Sequence, residues 1–423
     1  MRRFRSAALD RTLFTRKKQV RIRYPNTRVR QLGQTELGEN NTLDTNKRIA
    51  IGANTSHYVW QARRNLIRAI QDEGHDVVIV APKDEYTAPL LKMGVSHVDL
   101  PMKMNKNPVS DYLLYRRFRE ALQQVSPDVF LGYTIKPNIY GSLAAHKLDI
   151  PTINNIAGLG SVFLSDNLVT QVAKGLYRIA LKQAAMVFFQ NPDDRELFTS
   201  NGVVRHNKHD LLPGSGVDLT KFAFTPLPEA GRDTPLRFVL IARMLWDKGV
   251  GEFVEAARAI RQRHGDVRFC LLGSLDNDNP AAITRAQMDE WVHAGDVEYL
   301  GYSDNVVQEI VDSDCVVLPS AYPEGTPRTL LEAAAVGRPI ITTDAPGCRE
   351  TVDDGVNGFI CGLRDAADLQ NKMERVIALS PQARSAMGRA GRSKMENEFD
   401  ESIVIGKYIE EIRTLCRTKR QAA

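Results

Sequence analysis

Two glutamates, Glu324 and Glu332, sit on either side of an expected helix start in the stretch PSAYPEGTPRTLLEA, residues 319–333. The apolar run Cys315-Val316-Val317-Leu318 precedes it. Gly337 and Pro339 close the Ala-rich segment that follows, and Ile340-Ile341-Thr342-Thr343 reads as the next strand. The pattern is a βαβ unit. Thr326 is the expected N-cap and Pro327 the expected first helical residue. A helix start carries unpaired N–H groups and the positive end of the dipole, which suits a diphosphate. Two carboxylates could form an acid/base couple. Beside phosphate, however, they are better suited to accepting bonds from uncharged hydroxyls. Phosphate and hydroxyls together describe a nucleotide-sugar.

The stretch IARMLWDKG, residues 241–249, supplies two cations after another apolar run. Arg243, by its fork, and Lys248, as a point charge, could neutralise a diphosphate leaving group. An exposed loop with ordinary surface cations is the plainer reading of that stretch taken alone. Asp276-Asn277-Asp278 has the form of a metal-binding triplet, but its neighbours Asn279 and Pro280 favour a solvated turn. Gly347, in the loop Asp344–Glu350, would let backbone approach a ligand. Toward the N-terminus, the turn Gly52-Ala53-Asn54-Thr55-Ser56-His57 lacks a GxGxxG, which argues against a dinucleotide. Arg63, Arg64 and Asn65 fall just inside the next helix. The loops Tyr133–Ser142 and Ile153–Ser161 should share the same rim, with Lys136 and Asn155 as candidates for acceptor contact or for turn chemistry. His206 and His209 lack partner ligands, and neither GxSxG nor HExxH occurs.

Elements that position these residues alternate along the chain. A strand and turn are expected at 48–54, strands at 76–82, 129–131 and 151–153, and helices at 111–124 and 138–147. Turn formers crowd 211–236, and a second series begins at Arg237, with helices at 250–263, 327–336, 366–379, 382–398 and 402–416. The expected fold is α/β with two Rossmann-like, doubly wound domains facing a cleft. The expected organisation is a basic, disordered tail at 1–46, an acceptor-side domain at 47–215, a linker at 216–235 and a nucleotide-sugar domain at 236–400. A last helical segment, 401–423, crosses back toward the first domain. The 423 residues carry a net charge of +5, yet residues 1–30 hold eleven Lys or Arg against Asp10 alone, leaving −5 for the rest. Such a tail suits anionic lipid. Nucleic acid is disfavoured, since no aromatic interleaving accompanies the charge. Lys103, Lys106, Arg116, Arg117 and Arg119 form a second basic group. No run reaches the roughly 18 apolar residues of a membrane span, and the start lacks an apolar h-region, so a cytoplasmic protein peripheral to the membrane's inner face is expected. The five cysteines form no CxxC and read as reduced thiols.

Taken together, EGTPRTLLEAAAVGRPIITTDAPGCRE, ARMLWDKG, Gly216-Val217-Asp218 with Phe222, and Asn191-Pro192 ending FFQNP resemble the retaining glycosyltransferases of family 4, which share the GT-B fold. The resemblance covers residues 47–400. It implies that Arg243 and Lys248 bind the donor diphosphate, that Glu332 bonds the ribose and that Glu324 meets the transferred sugar. It also implies that Gly325, Thr326, Pro327 and Arg328 complete a phosphate site, with Gly52 and Asn54 opposite and Arg63, Lys136 and Asn155 on the acceptor side. A metal and a cofactor are not expected; the nucleotide-sugar is a co-substrate. EGTPR, YTIKPNIYGS and NNIAGLGSVF look most similar to enzymes that extend polyprenyl-diphosphate-linked sugars with UDP-sugars, in capsule, exopolysaccharide or O-antigen synthesis. Asn54-Thr55-Ser56 replaces the Gly-Gly pair many members carry, and no catalytic His is assigned. A GT-B-type hydrolase, epimerase or phosphorylase, or a non-catalytic sugar-binding protein, would share much of this pattern.

Overall fold

The computed structural model describes residues 46–102, 107–158, 168–204, 208–228, 235–275 and 279–422. The basic tail, Lys103, Lys106, His206, the Asp276–Asp278 triplet and the end of the NNIAGLGSVF segment lie outside them. Among the described residues, the first sheet contains β1 (Arg48–Gly52), β2 (Asp76–Ala81), β3 (Ser96–Asp99), β4 (Val129–Tyr133), β5 (Thr152–Ile156), β6 (Met186–Phe189) and β7 (His209–Leu211). The second contains β8 (Leu236–Ile241), β9 (Val267–Leu272), β10 (Glu298–Gly301), β11 (Cys315–Leu318), β12 (Ile340–Thr343) and β13 (Gly358–Cys361). All pairings within both sheets are parallel. The apolar runs follow from this, because helices cover both faces and bury strands such as β1, β4 and β11.

Strand order decides where a ligand can sit. The first sheet runs β3-β2-β1-β4-β5-β6-β7 and the second β10-β9-β8-β11-β12-β13. Each order reverses once, between β1 and β4 and between β8 and β11. Connections at a reversal leave to opposite faces and open a crevice beyond the strand ends. Arg243 follows β8, and the Glu324 loop follows β11.

Several boundaries differ from the sequence reading, with local causes. Thr326 does not cap a helix. Its hydroxyl donates to Gln190 O at 3.0 Å, Pro327 adopts an extended ψ of 117°, and the helix runs Arg328–Val336. It ends at Gly337, whose φ of 90° favours glycine. Asn154 and Asn155 lie within β5 rather than in a loop. Buried amides are tolerated there because Asn154 donates to Ser142 at 2.7 Å and to Asn138 at 2.9 Å. The expected helix at 138–147 is a π turn, Pro137–Gly141, followed by Ser142–His146. A helix at Ser56–Ala62, capped by Thr55, precedes the Arg64–Asp72 helix.

The chain passes between the domains twice, side by side. Val217 N donates to Phe399 O at 2.9 Å and Glu401 N donates to Val217 O at 3.2 Å. Gly216, at φ 72°, lies against Glu401 where a side chain would not fit. The final helix, Glu401–Ala422, then packs Val404, Tyr408, Ile409 and Ile412 into the core of the first sheet.

Candidate active site

The turn after β8 is stitched to the loop after β11. Ala321 N and Tyr322 N both donate to Asp247 O, at 3.0 and 3.1 Å. Gly249, at φ 76°, closes the turn Trp246–Lys248, and the Pro319 carbonyl occupies the space its side chain would need. These contacts bring Lys248 onto Glu324: Lys248 Nζ donates to Glu324 Oε1, and both side chains are largely buried. Ser320 Oγ donates to the same oxygen at 3.2 Å, and Nζ lies 5.0 Å from the Tyr322 ring centroid. One of the two cations is therefore fused to the first glutamate. An ammonium has three donors, so Lys248 can hold Glu324 and still meet an anion.

Thr329 Oγ1 donates to Ile241 O at 3.1 Å, which fastens the Arg328–Val336 helix start to the end of β8. Arg243 lies exposed just beyond. Glu332, one helical step past Arg328, accepts from that guanidinium at 2.9 Å. Burial, then the Arg64 and Arg328 charges, pull the Lys221 ammonium below its ordinary value, against Glu332 and Asp218. Arg64, Lys221 and Arg328 thus share this end of the site with the carboxylates of Glu332 and Asp218.

The first-domain candidates separate. Asn54 is half-buried beyond β1. Gly52 is buried, with the tip of the Phe130 ring in the space its side chain would need, a packing role rather than a phosphate-facing one. Arg63 is buried, donates to Tyr58 at 2.9 Å and Ser215 at 3.2 Å, and lies 4.4 Å from the Tyr133 ring centroid. Asn155 is fully buried, donates to Tyr408 at 2.9 Å and accepts from Gln190 at 3.1 Å. Neither presents surface to an acceptor in this structure. Lys136 stays near the rim at the start of the π turn and donates to Asp111 at 2.8 Å.

The domains meet at the Glu324 loop. A Cβ on Gly158 would lie 2.6 Å from Gly325 N, and one on Gly214 would lie 2.7 Å from Thr326 Cβ. Gly347 packs against Gly325 O, so it serves backbone-to-backbone contact inside the second domain rather than a ligand. Asn191 Nδ2 donates across the seam to Glu324 O at 3.0 Å and Gly325 O at 3.3 Å. Arg349 reaches Asp193 at 3.1 Å. Gln190 escaped the sequence reading. Its signal was its place in FFQNP, where the polar pair Gln190-Asn191 follows the apolar Val187-Phe188-Phe189.

Beside this seam, burial pushes the carboxyls of Asp194 and Glu350 up to about 7, and Asp194 is raised further by Asp193 and Glu350. Glu350 Oε2 is buried without a hydrogen-bond partner among the described residues. Both groups keep a proton in the fold at pH values where the unfolded chain has lost it. Their contribution to stability therefore falls as pH rises from about 4 to about 7. The expected result is that an Asp194→Asn, Glu350→Gln variant gains unfolding midpoint relative to wild type at pH 8 and loses that advantage at pH 5. A difference independent of pH would refute the assignment.

Among the described residues, no group of three or more His, Cys, Asp or Glu side chains is placed to hold a metal. The five cysteines are free thiols, four of them buried.

Two family models match the chain. Residues 59–214 match a glycosyl transferase 4-like domain and residues 235–378 match glycosyl transferases group 1. The chain is a family 4 glycosyltransferase. This glycosyltransferase is 27% identical over 380 residues to the N,N'-diacetylbacillosaminyl-diphospho-undecaprenol alpha-1,3-N-acetylgalactosaminyltransferase of Campylobacter jejuni, covering 86% of this chain and 97% of the relative. It is 25% identical over 308 residues to the UDP-Gal:alpha-D-GlcNAc-diphosphoundecaprenol alpha-1,3-galactosyltransferase of Escherichia coli, covering 70% and 76%. The fold matches the crystal structure of Anabaena HepE in complex with UDP and glucose, with a TM-score of 0.70, 17% identity and coverage of 87% and 99%. The fold is therefore GT-B, with the Lys248–Glu324 pair at the switch point of its second domain.

Proposed function

We propose that this enzyme moves a hexose or N-acetylhexosamine from a UDP-sugar to a polyprenyl-diphosphate-linked glycan, with retention of configuration, in the synthesis of a bacterial surface polysaccharide. The observation that carries the reading is the joined Lys248–Glu324 pair under the start of the Arg328–Val336 helix. Lys248, Arg243 and the backbone around Gly325, Thr326, Pro327 and Arg328 take the diphosphate. Glu324 accepts from the sugar's hydroxyls and Glu332 from the ribose. Negative charge grows on the diphosphate as the glycosidic bond breaks, and donors fixed in advance stabilise it at little reorganisation cost. These cations supply that charge without a divalent metal. The lengthwise match to the Campylobacter enzyme supports the lipid-linked acceptor.

An acceptor of that kind calls for contact with a membrane. No helix among the described residues is long and apolar enough to cross one. The helix Pro108–Val125 instead turns outward Val109, Tyr112 and Leu113, at 68%, 61% and 44% exposure, with Arg116, Arg117 and Arg119 just beyond. Apolar side chains beside arginines suit the headgroup region of an anionic bilayer. This reading places the enzyme at the cytoplasmic face, with Lys136 on the same acceptor rim.

The test is a panel of UDP-, GDP- and ADP-sugars with a short polyprenyl-diphosphate-linked sugar and a chelator present. Transfer from a UDP donor with retained anomeric configuration is expected. Release of free sugar without glycan product would point to a hydrolase instead. For the membrane, the full chain should co-sediment with anionic vesicles, and Tyr112→Ser with Leu113→Ser and Arg116→Glu should reduce it severalfold. Equal sedimentation of both proteins would remove this docking face.

A further inference from the structure

The Glu324 loop belongs to the second domain, yet part of its anchoring comes from the first. Asn191 Nδ2 donates to the carbonyls of Glu324 and Gly325, and Thr326 Oγ1 donates to Gln190 O. Gln190 Oε1 fills the space where a Gly325 side chain would stand. All three bonds hold main chain on one side, so they set the path of the segment that carries Glu324.

This grip is braced from behind. Gln190 Nε2 donates to Asn155 Oδ1 at 3.1 Å, and Asn155 Nδ2 donates to Tyr408 Oη at 2.9 Å. Tyr408 lies on the final helix, whose first residue adjoins the second interdomain crossing. Gln190, Asn155 and Tyr408 are all buried. A fully satisfied buried network of this kind specifies one arrangement, since breaking any link strands a polar group. The network joins the crossing helix to the donor-side loop through the first sheet.

We infer that Gln190 and Asn191 form a clasp through which the first domain positions Glu324 and Lys248 when the cleft is closed. Both are positioning residues, and Asn155 with Tyr408 is their brace. The inference rests on the glycosyltransferase reading above and adds the route by which closure reaches the reacting groups.

Asn191 also caps the helix Pro192–Ser200, accepting from Asp194 N at 2.7 Å. A serine keeps that capping role but cannot reach the two carbonyls. Asn191→Ser also gives up the 3.0 Å bond from Asn191 Nδ2 to Asp194 Oδ2, whereas Thr326→Val removes its clasp bond without touching the Pro192–Ser200 helix. The expected result is a kcat lower by roughly ten- to a hundredfold, the scale of a 1 Å misplacement at a reacting centre, with UDP affinity within about threefold of wild type. Amide hydrogen exchange over residues 320–330 should quicken in both variants, without any ligand, while the Pro192–Ser200 helix keeps its protection. The double variant should lose little more than the worse single one, because the bonds act together. Normal kcat with unchanged exchange would overturn the clasp. So would a loss of kcat matched by an equal loss of UDP affinity. The exchange measurement does not depend on which sugar is transferred. Absence of transfer by wild type with every donor would defeat the functional reading and still leave the clasp to be judged.

Discussion

Lys248→Met should lower turnover by about a hundred- to a thousandfold, the loss typical when one electrostatic donor to a developing charge is removed. Methionine keeps most of the aliphatic stem and removes the ammonium that lies over the Tyr322 ring. Two things are lost together. The leaving diphosphate loses a cation, and Glu324 loses its ion-pair partner while remaining largely buried with Ser320 as its remaining donor. The second loss predicts a coupling. Lys248→Met with Glu324→Gln should be less harmful than the two single losses multiplied, because the amide no longer leaves an unpaired buried charge. Arg243→Ala should remove a cation from the diphosphate. Arg243 is exposed just beyond β8 and the ion pair of Glu324 is with Lys248, so the Arg243 loss should multiply with Glu324→Gln. Steady-state kcat and KM for the UDP donor decide the matter. Near-normal kcat in Lys248→Met would remove the lysine from the reaction.

Much of this site was readable from local sequence. The apolar runs 237–241 and 315–318 mark strands, and Arg243, Lys248 and Glu324 follow their ends within a few residues. In a parallel sheet such loops lie along one edge, so spacing alone brought the two segments near each other. The strand order that makes β8 and β11 neighbours did not follow from any one segment. Local reading failed where a tertiary partner outbid a local preference. Thr326-Pro327 has the chemistry of a helix cap, yet the Thr326 hydroxyl has a partner in Gln190 on the other domain. Asn154-Asn155 has the chemistry of a turn, yet Ser142, Asn138, Tyr408 and Gln190 satisfy both amides inside a strand. Arg63 is expected on the acceptor side, and arginine is rarely buried. Three tyrosines and Ser215 surround it instead. Each miss concerns a residue whose partner lies on a distant segment, most of them bracing the seam between the domains.

The seam itself gives the second large effect. Gly158→Ala should lower kcat by up to about a hundredfold while leaving UDP binding nearly unchanged. Gly158 has φ 97°, and a methyl group there would lie 2.6 Å from Gly325 N and 3.0 Å from Glu324 C and Pro323 O. All three atoms are backbone of the other domain, so no side chain can swing aside. Relief requires the domains to part by nearly an ångström at the point where Asn191 holds the Glu324 loop. The donor's nucleotide contacts lie within the second domain in the proposed binding mode, so its affinity should survive. The left-handed φ adds strain of about 1–2 kcal/mol, which the unfolding midpoint reports separately from turnover. Gly175→Ala is the control. That glycine lies within the helix Leu168–Leu181 with no atom within 4 Å of its Cβ position, so alanine should be neutral or mildly stabilising. If Gly158→Ala keeps kcat within twofold of wild type, the closed seam is not the arrangement in which transfer occurs. A large loss of kcat with UDP affinity intact would mean that transfer needs the two glycine backbones in contact.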